Sequence, residues 1–126
     1  MFLNKSSGEP TESHIDELTA KIESIPHNIV GIGGGSVIDT CKLVRTKLVH
    51  PKIPLKNWLP RFSLPKESSK IKLISIPTTH GSGAETSSAA VFNAKKSGKS
   101  VILSHAFVSD IVVYDSLFTV DLPKSI

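Results

Sequence analysis

The sequence predicts an α/β domain with a mainly parallel sheet, because strand-like and helix-like patterns alternate along the chain. Two short runs, "IVGI" at 29–32 and "IKLISI" at 71–76, are rich in the β-branched residues typical of buried parallel strands. Glycines and a helical stripe follow the first run, and glycine and hydroxyl residues follow the second. These two strand-and-loop units are what indicate the fold class.

Length and composition narrow the class of protein further. At 126 residues the chain makes about one domain. It contains no run of about 20 apolar residues, so we expect no membrane association, and the start "MFLNKSSGEPTESH" lacks a secretory signal, which predicts a cytoplasmic location. The net charge is +4, but aromatic residues do not alternate with the basic ones, so no nucleic-acid partner is expected.

Two helices are predicted in the first half of the chain. Residues 1–12 are polar and are expected to form a flexible lead-in to a domain over 13–126. Apolar residues at helical spacing, with Ser13 and Asp16 as a capping box, predict a helix over 14–24. A second stripe follows the glycines, at Val37, Ile38, Cys41, Val44 and Leu48.

The second helix should begin at Ser36, with Asp39 completing the same S-x-x-D cap. Cys41 has no partner for an internal disulfide and is expected to be a buried core thiol. Four prolines between 50 and 69 predict a long surface excursion. Beyond the loop "TTHGSGAETSS", the runs "AAVF", "SVILS" and "DIVVYD" are strand-like.

The glycine loop has two interpretations on its own residues. A strand that ends in glycines before a helix exposes unpaired N–H groups that suit a phosphate, but a tight turn needs glycines equally. The dinucleotide pattern G-x-G-x-x-G fails here, since Ser36 or Ile38 occupies its last position. "NAKKSGKS" at 93–100 likewise fails the nucleotide-phosphate pattern, because Asn93 replaces its first glycine.

The loop "IPTTHGSGAETSS" offers hydroxyls at Thr78, Thr79 and Ser82 for a phosphate or a ribose, although Ser and Thr are also ordinary turn formers. Ligands of open parallel sheets collect beyond the carboxyl ends of the strands. The two loops could therefore face one ligand.

Together, "GIGGGSVIDTCK" and "IPTTHGSGAETSSAAVF" resemble the two signature segments of the iron-containing alcohol dehydrogenases, in the same order. The similarity continues through "SHAFVSDIVVYDSLFTVDLP" and covers most of residues 14–126. It implies a Rossmann-like domain that binds NAD or NADP, incomplete here because the family's opening strands and its C-terminal helical metal domain have no counterpart.

The resemblance implies cofactor-binding roles for eight residues: Gly34, Gly35, Ser36, Asp39, Thr78, Thr79, Ser82 and Lys99. The first three match the pyrophosphate turn. Asp39 and Glu85 match acidic positions, and Asp39 is expected first to cap the helix and second to lie near the cofactor. His80 replaces the family's usual small residue, and no catalytic role is expected because nothing nearby in the sequence orients it.

In the family, an aspartate and three histidines of the helical domain bind iron or another divalent metal. The five histidines of this chain are scattered and match none of them, so neither a metal ligand nor a catalytic residue is assigned. The implied parent activity is the interconversion of an alcohol and an aldehyde, with this chain alone expected to be inactive.

Two alternatives remain beside this reading. One is a non-catalytic dinucleotide-binding or interaction module derived from the family. The other is a related sugar-phosphate lyase, against which "PTTHGSGAE" argues. Because missing opening strands would leave sheet edges unpaired, a homo-oligomer is also expected.

Overall fold

The computed structural model describes residues 3, 8–58, 70–94 and 98–123. The described helices and strands are, in chain order, α1 (Glu12–Ala20), β1 (Asn28–Gly33), α2 (Gly35–Val49), β2 (Lys72–Pro77), β3 (Ala89–Ala94), β4 (Gly98–Leu103) and β5 (Ile111–Val112). Short 3-10 turns occur at Leu55–Trp58, His105–Phe107 and Ser116–Phe118. No helix in these ranges has the length and apolarity needed to cross a bilayer.

Three strands form the parallel sheet that the sequence predicts, in the order β1-β2-β5. Its register pairs Ile29 with Leu73 and Gly31 with Ser75, so these residues point to the same face of the sheet. The helix α2 packs on that face of β1 and β2. The other two strands, β3 and β4, form a separate antiparallel hairpin. The predicted α/β class is therefore confirmed, with an antiparallel unit added to it.

The first helix differs from its prediction at both ends. It begins at Glu12 rather than at 14, because the Thr11 side chain caps it by accepting a hydrogen bond from the His14 N–H at 3.2 Å, and it ends at Ala20 rather than at 24. Residues before this helix also contact the fold. Pro10 is buried, and its carbonyl accepts a hydrogen bond from the Asn93 N–H at 2.7 Å.

The proline-rich stretch contributes to the core, contrary to the prediction of a surface excursion. Leu55 and Trp58 are fully buried, since this short 3-10 turn inserts its two large side chains beneath α1 and α2. The rest of the predicted excursion, 59–69, lies outside the described residues.

The main core cluster lies among the two helices, the hairpin and the first two 3-10 turns. Its buried members are Ile15, Leu18, Leu43, Val44, Leu55, Trp58, Ala90, Phe92, Ile102 and Phe107. Cys41 is half-buried on α2, and burial raises the pKa of its thiol to about 11. The thiol therefore stays protonated at neutral pH, but its partial exposure differs from the predicted buried core thiol.

Candidate functional site

The candidate site lies where β1 ends and α2 begins. Gly33 packs so closely on the first turn of α2 that a Cβ added to it would lie 2.6 Å from Cγ2 of Val37. Gly34 is the N-cap, in extended conformation and without a side chain to accept a hydrogen bond. Since the first N–H groups of a helix lack partners within it, this end of α2 suits an anion.

The predicted S-x-x-D cap of α2 is wrong. The helix begins at Gly35, so Ser36 is already helical, and its carbonyl accepts a hydrogen bond from Thr40 Oγ1 at 2.7 Å. Asp39 lies a full turn inside the helix and points away from the N-terminus. Its carboxylate accepts hydrogen bonds from Lys42 Nζ at 3.2 Å and from the Val91 N–H at 3.0 Å.

The loop that follows β2 lies directly against the glycine turn. The Thr78 N–H donates to the Gly33 carbonyl at 3.0 Å, which continues the pairing of β1 and β2 by one residue. A Cβ on Gly34 would lie 3.0 Å from Thr79 Oγ1, and a Cβ on Gly35 would lie 2.9 Å from Ser82 Cβ. The two loops thus meet, as expected for the ends of neighbouring parallel strands.

Two further glycines shape this loop. Gly81 and Gly83 have φ angles of +85° and +60°, a conformation that side chains other than glycine rarely adopt. The turn they make leaves His80 exposed and buries Ala84 beside Gly35. Glu85 accepts a hydrogen bond from the exposed Tyr114 hydroxyl at 3.0 Å, which raises the pKa of the tyrosine.

Lys99 is placed apart from the other residues implied by the resemblance. It lies on β4 of the hairpin, where its exposed ammonium is 3.0 Å from Glu9 Oε1. The structure therefore brings Gly34 and Gly35 against Thr79 and Ser82, with Ser36 and Thr78 adjoining them in sequence. It assigns Asp39 and Lys99 to ion pairs of their own.

Lys42 is the residue near the site that sequence reasoning missed. Its side chain is 0% exposed, and Nζ donates to Asp39 Oδ1 and to the carbonyls of Ser87 at 3.1 Å and Ala89 at 2.6 Å. Burial lowers the pKa of Lys42 and raises that of Asp39, while their mutual attraction opposes both changes. The signal was present in "DTCK", an acid and a lysine three residues apart beside an apolar stripe.

Within the described ranges, no three His, Cys, Asp or Glu side chains come close enough together to hold a metal ion. The side chains of this part of the chain therefore do not fit the iron or other divalent metal of the resemblance.

The fold and the site together define a Rossmann-like α/β domain with a glycine-rich strand-to-helix turn. The family model of the iron-containing alcohol dehydrogenases matches residues 2–116. The chain therefore belongs to the iron-containing alcohol dehydrogenase family.

Individual relatives agree with this assignment. An alcohol dehydrogenase of Thermococcus barophilus is 32% identical over 123 residues, which are 94% of this chain and 32% of that protein. The structure of an iron-containing alcohol dehydrogenase from Thermococcus thioreducens matches with a TM-score of 0.80 and 33% identity, over 93% of this chain and 32% of the other.

A third similar structure is the sulfoacetaldehyde reductase of Bifidobacterium kashiwanohense, solved in complex with NAD⁺. Its TM-score is 0.79 at 24% identity, over 93% of this chain and 31% of that one, so it supports the fold. This chain spans about a third of the length of these three proteins.

Proposed function

We propose that this chain forms the pyrophosphate-binding part of an NAD(P)-dependent alcohol dehydrogenase that interconverts an alcohol and an aldehyde. The observation that carries the proposal is the contact between the two loops. Gly34 and Gly35, at the uncapped N-terminus of α2, lie against the hydroxyl-bearing side chains of Thr79 and Ser82. Helix N–H groups and hydroxyls are the donors that a pyrophosphate accepts from most readily.

Each residue has a distinct role in this proposal. Gly34 and Gly35 allow the phosphates to approach the backbone, because any side chain there would occupy the space between the loops. The N–H of Ser36 and the hydroxyls of Thr78, Thr79 and Ser82 donate hydrogen bonds. The bound dinucleotide supplies the hydride chemistry, and these residues bind and orient it.

Lys99 and Asp39 are the two charged residues among the eight that the resemblance implies, and their roles in the proposal differ from those of the other six. The ion pair of Lys99 with Glu9 is exposed, and exposed pairs are weak, so the lysine can exchange Glu9 for a phosphate. Asp39 is engaged by Lys42 and Val91, so we propose that it supports the site from within the fold.

The wider features of the parent enzyme belong to the same proposal. They are a cytoplasmic location, association into a homo-oligomer, and a divalent metal, iron or another, that holds the substrate oxygen. The metal ligands would come from parts of the enzyme other than the residues described.

Fluorescence titration with NADH, and separately with NADPH, tests the site in the chain as it stands. We expect saturable enhancement of nicotinamide fluorescence with at least one of them. Gly35→Val should weaken this binding about tenfold or more, because its side chain collides with Ser82 and displaces the loop from the N-terminus of α2.

The control is Thr86→Ser, an exposed change on the same loop that keeps the hydroxyl donating to the Gly83 carbonyl and should leave the affinity unchanged. Circular dichroism shows whether each variant is folded. Folded wild-type protein that gives no saturable signal with either dinucleotide would contradict the proposal.

A further inference from the structure

The loop after β2, residues 78–88, leads into the start of β3, residues 89–91, and this segment is fixed at its two ends in different ways. At its start, the Thr78 N–H continues the backbone pairing between β1 and β2. At its end, the backbone of residues 87–91 is held on one side by two side chains of α2, and from residue 88 onward it pairs on the other side with β4 and Ser104. Between these ends lie Thr79 and Ser82, whose side chains face the glycine turn.

The end of the loop is held by one turn of α2. Lys42 Nζ donates to the Ser87 and Ala89 carbonyls, and Asp39 Oδ2 accepts from the Val91 N–H. Lys42 is 0% exposed and Asp39 is 6% exposed, so water cannot replace these bonds. Loss of either side chain would leave buried polar groups of the loop without a partner, which is costly.

The same turn is rigidly connected to the candidate site. Asp39 and Lys42 follow Gly35 within one uninterrupted helix, so they lie about 6–10 Å along its axis from its N-terminus. A helix of this length transmits position with little deformation. The distance between the N-terminus of α2 and the loop therefore depends on how the far end of the loop is attached to α2.

A second buried cation on α2 provides a natural comparison. Arg45, one turn beyond Lys42, is 5% exposed and pairs with Asp110 at 2.9 Å. Its guanidinium also donates to the carbonyls of Ala106 and Val108. Arg45 thus fastens residues 106–110 to the same helix, and among the residues that the structure describes its hydrogen bonds go to that segment and not to the loop after β2.

We propose that Asp39 and Lys42 are positioning residues that form a clamp, in which they hold residues 87–91 on α2 and so set the spacing between the α2 N-terminus and the hydroxyls of Thr79 and Ser82. In this proposal Asp39 positions the loop, and it does not contact the cofactor directly as the resemblance implies. The effect of the clamp on affinity rests on the proposed dinucleotide site, whereas its effect on the loop does not.

Amide hydrogen exchange tests the clamp without any ligand, in Lys42→Met and in the control Arg45→Met. Lys42→Met should speed exchange at residues 84–91 about tenfold or more and leave residues 106–110 within about twofold of wild type. Arg45→Met should do the reverse. Equal acceleration of both segments by both variants would overturn the proposal, because it would show a general loss of stability.

Asp39→Asn covers the case in which Lys42→Met does not fold. Its amide oxygen can still accept from the Val91 N–H, so the chain should fold, while the lost charge loosens Lys42. We expect faster exchange at residues 84–91, and unchanged exchange there would overturn the clamp.

NADH titration of the folded variants supplies the second readout. Disruption of the clamp should raise the dissociation constant about tenfold, whereas Arg45→Met, which also loses a buried charge, should leave it near the wild-type value. Equal weakening by the two variants would overturn the positioning role. Failure of the wild-type chain to bind NADH would overturn the proposed function instead, and the exchange result would still decide the clamp.

Discussion

The two faces of the three-stranded sheet differ in how far they are covered by the described residues. On the face toward α2, Leu73 and Ser75 are fully buried, and Gly31 lies against Cys41. On the opposite face the register aligns Val30, Ile74 and Ile111 in one row. In that row Val30 is 51% exposed and Ile111 is 51% exposed, and the neighbouring Ile32 is 52% exposed.

Composition does not explain this difference, because both faces are apolar. A half-solvated sheet alternates apolar and polar residues, whereas a sheet covered on both sides is apolar throughout. The strands of this chain follow the second pattern, although the described residues place helices on one face. The open face therefore has the chemistry of a surface that is covered by something else, which is consistent with the proposed homo-oligomer.

The largest test of the comparison uses neighbouring residues of β2 that point to opposite faces. Leu73→Ala should lower the free energy of unfolding by about 2–5 kcal/mol, because it leaves a cavity beneath α2. Ile74→Ala, on the open face, should cost about 1 kcal/mol, since its side chain is partly solvated already. Urea denaturation of both variants measures the difference, and equal losses would show that the faces are equally packed.

Much of the fold could be predicted because its signals are local. The β-branched runs and the helical stripe of α2 follow from the spacing of side chains, and the structure confirms the elements they predict. The wrong boundaries have tertiary causes. The Asn93 N–H donates a hydrogen bond to the Pro10 carbonyl, and Trp58 is buried by residues distant in sequence. No local pattern carries that information.

The site was predictable in part for the same reason. The small residues of the two loops are recognisable as motifs, and the parallel sheet places Gly34 and Gly35 beside Thr79 and Ser82. The role of Asp39 could not be read from its spacing, since a capping acid and a buried ion-pair acid have the same sequence pattern. Its partner Val91 lies 52 residues away.

A second test, with a smaller expected effect, concerns the ion pair between Arg45 of α2 and Asp110, which lies just before β5. Burial acts to raise the pKa of Asp110, but the hydrogen bonds from the Leu73 N–H and from Lys72, with the charge of Arg45, outweigh it and lower the pKa. A carboxyl whose pKa is lower in the folded state stabilises the fold above its unfolded pKa. That stability is lost as the pH falls below about 4.

Asp110→Asn should therefore destabilise the chain by about 1 kcal/mol at pH 7, where the carboxylate of the wild type is ionised but its exposure to solvent screens the charge. Thermal unfolding from pH 7 to pH 2.5 should show the two proteins becoming more alike as the wild-type carboxyl takes up its proton. A difference that stays constant over this range would contradict the assigned ionisation.

The smallest effect on stability is expected from a substitution on the open face. This substitution should instead reduce the association of copies of the chain. Val30→Lys places a charge in β1, which ends the order of the described sheet and carries no charged residue of its own. A lysine on such a strand opposes pairing with another chain. Because Val30 is half exposed, the free energy of unfolding should change by less than about 1 kcal/mol.

Sedimentation velocity should show concentration-dependent association of the wild type and its loss in Val30→Lys. The same substitution at Val101, which is 46% exposed on the hairpin, should leave association unchanged, and a wild type that sediments as a monomer at all concentrations would contradict the proposed oligomer.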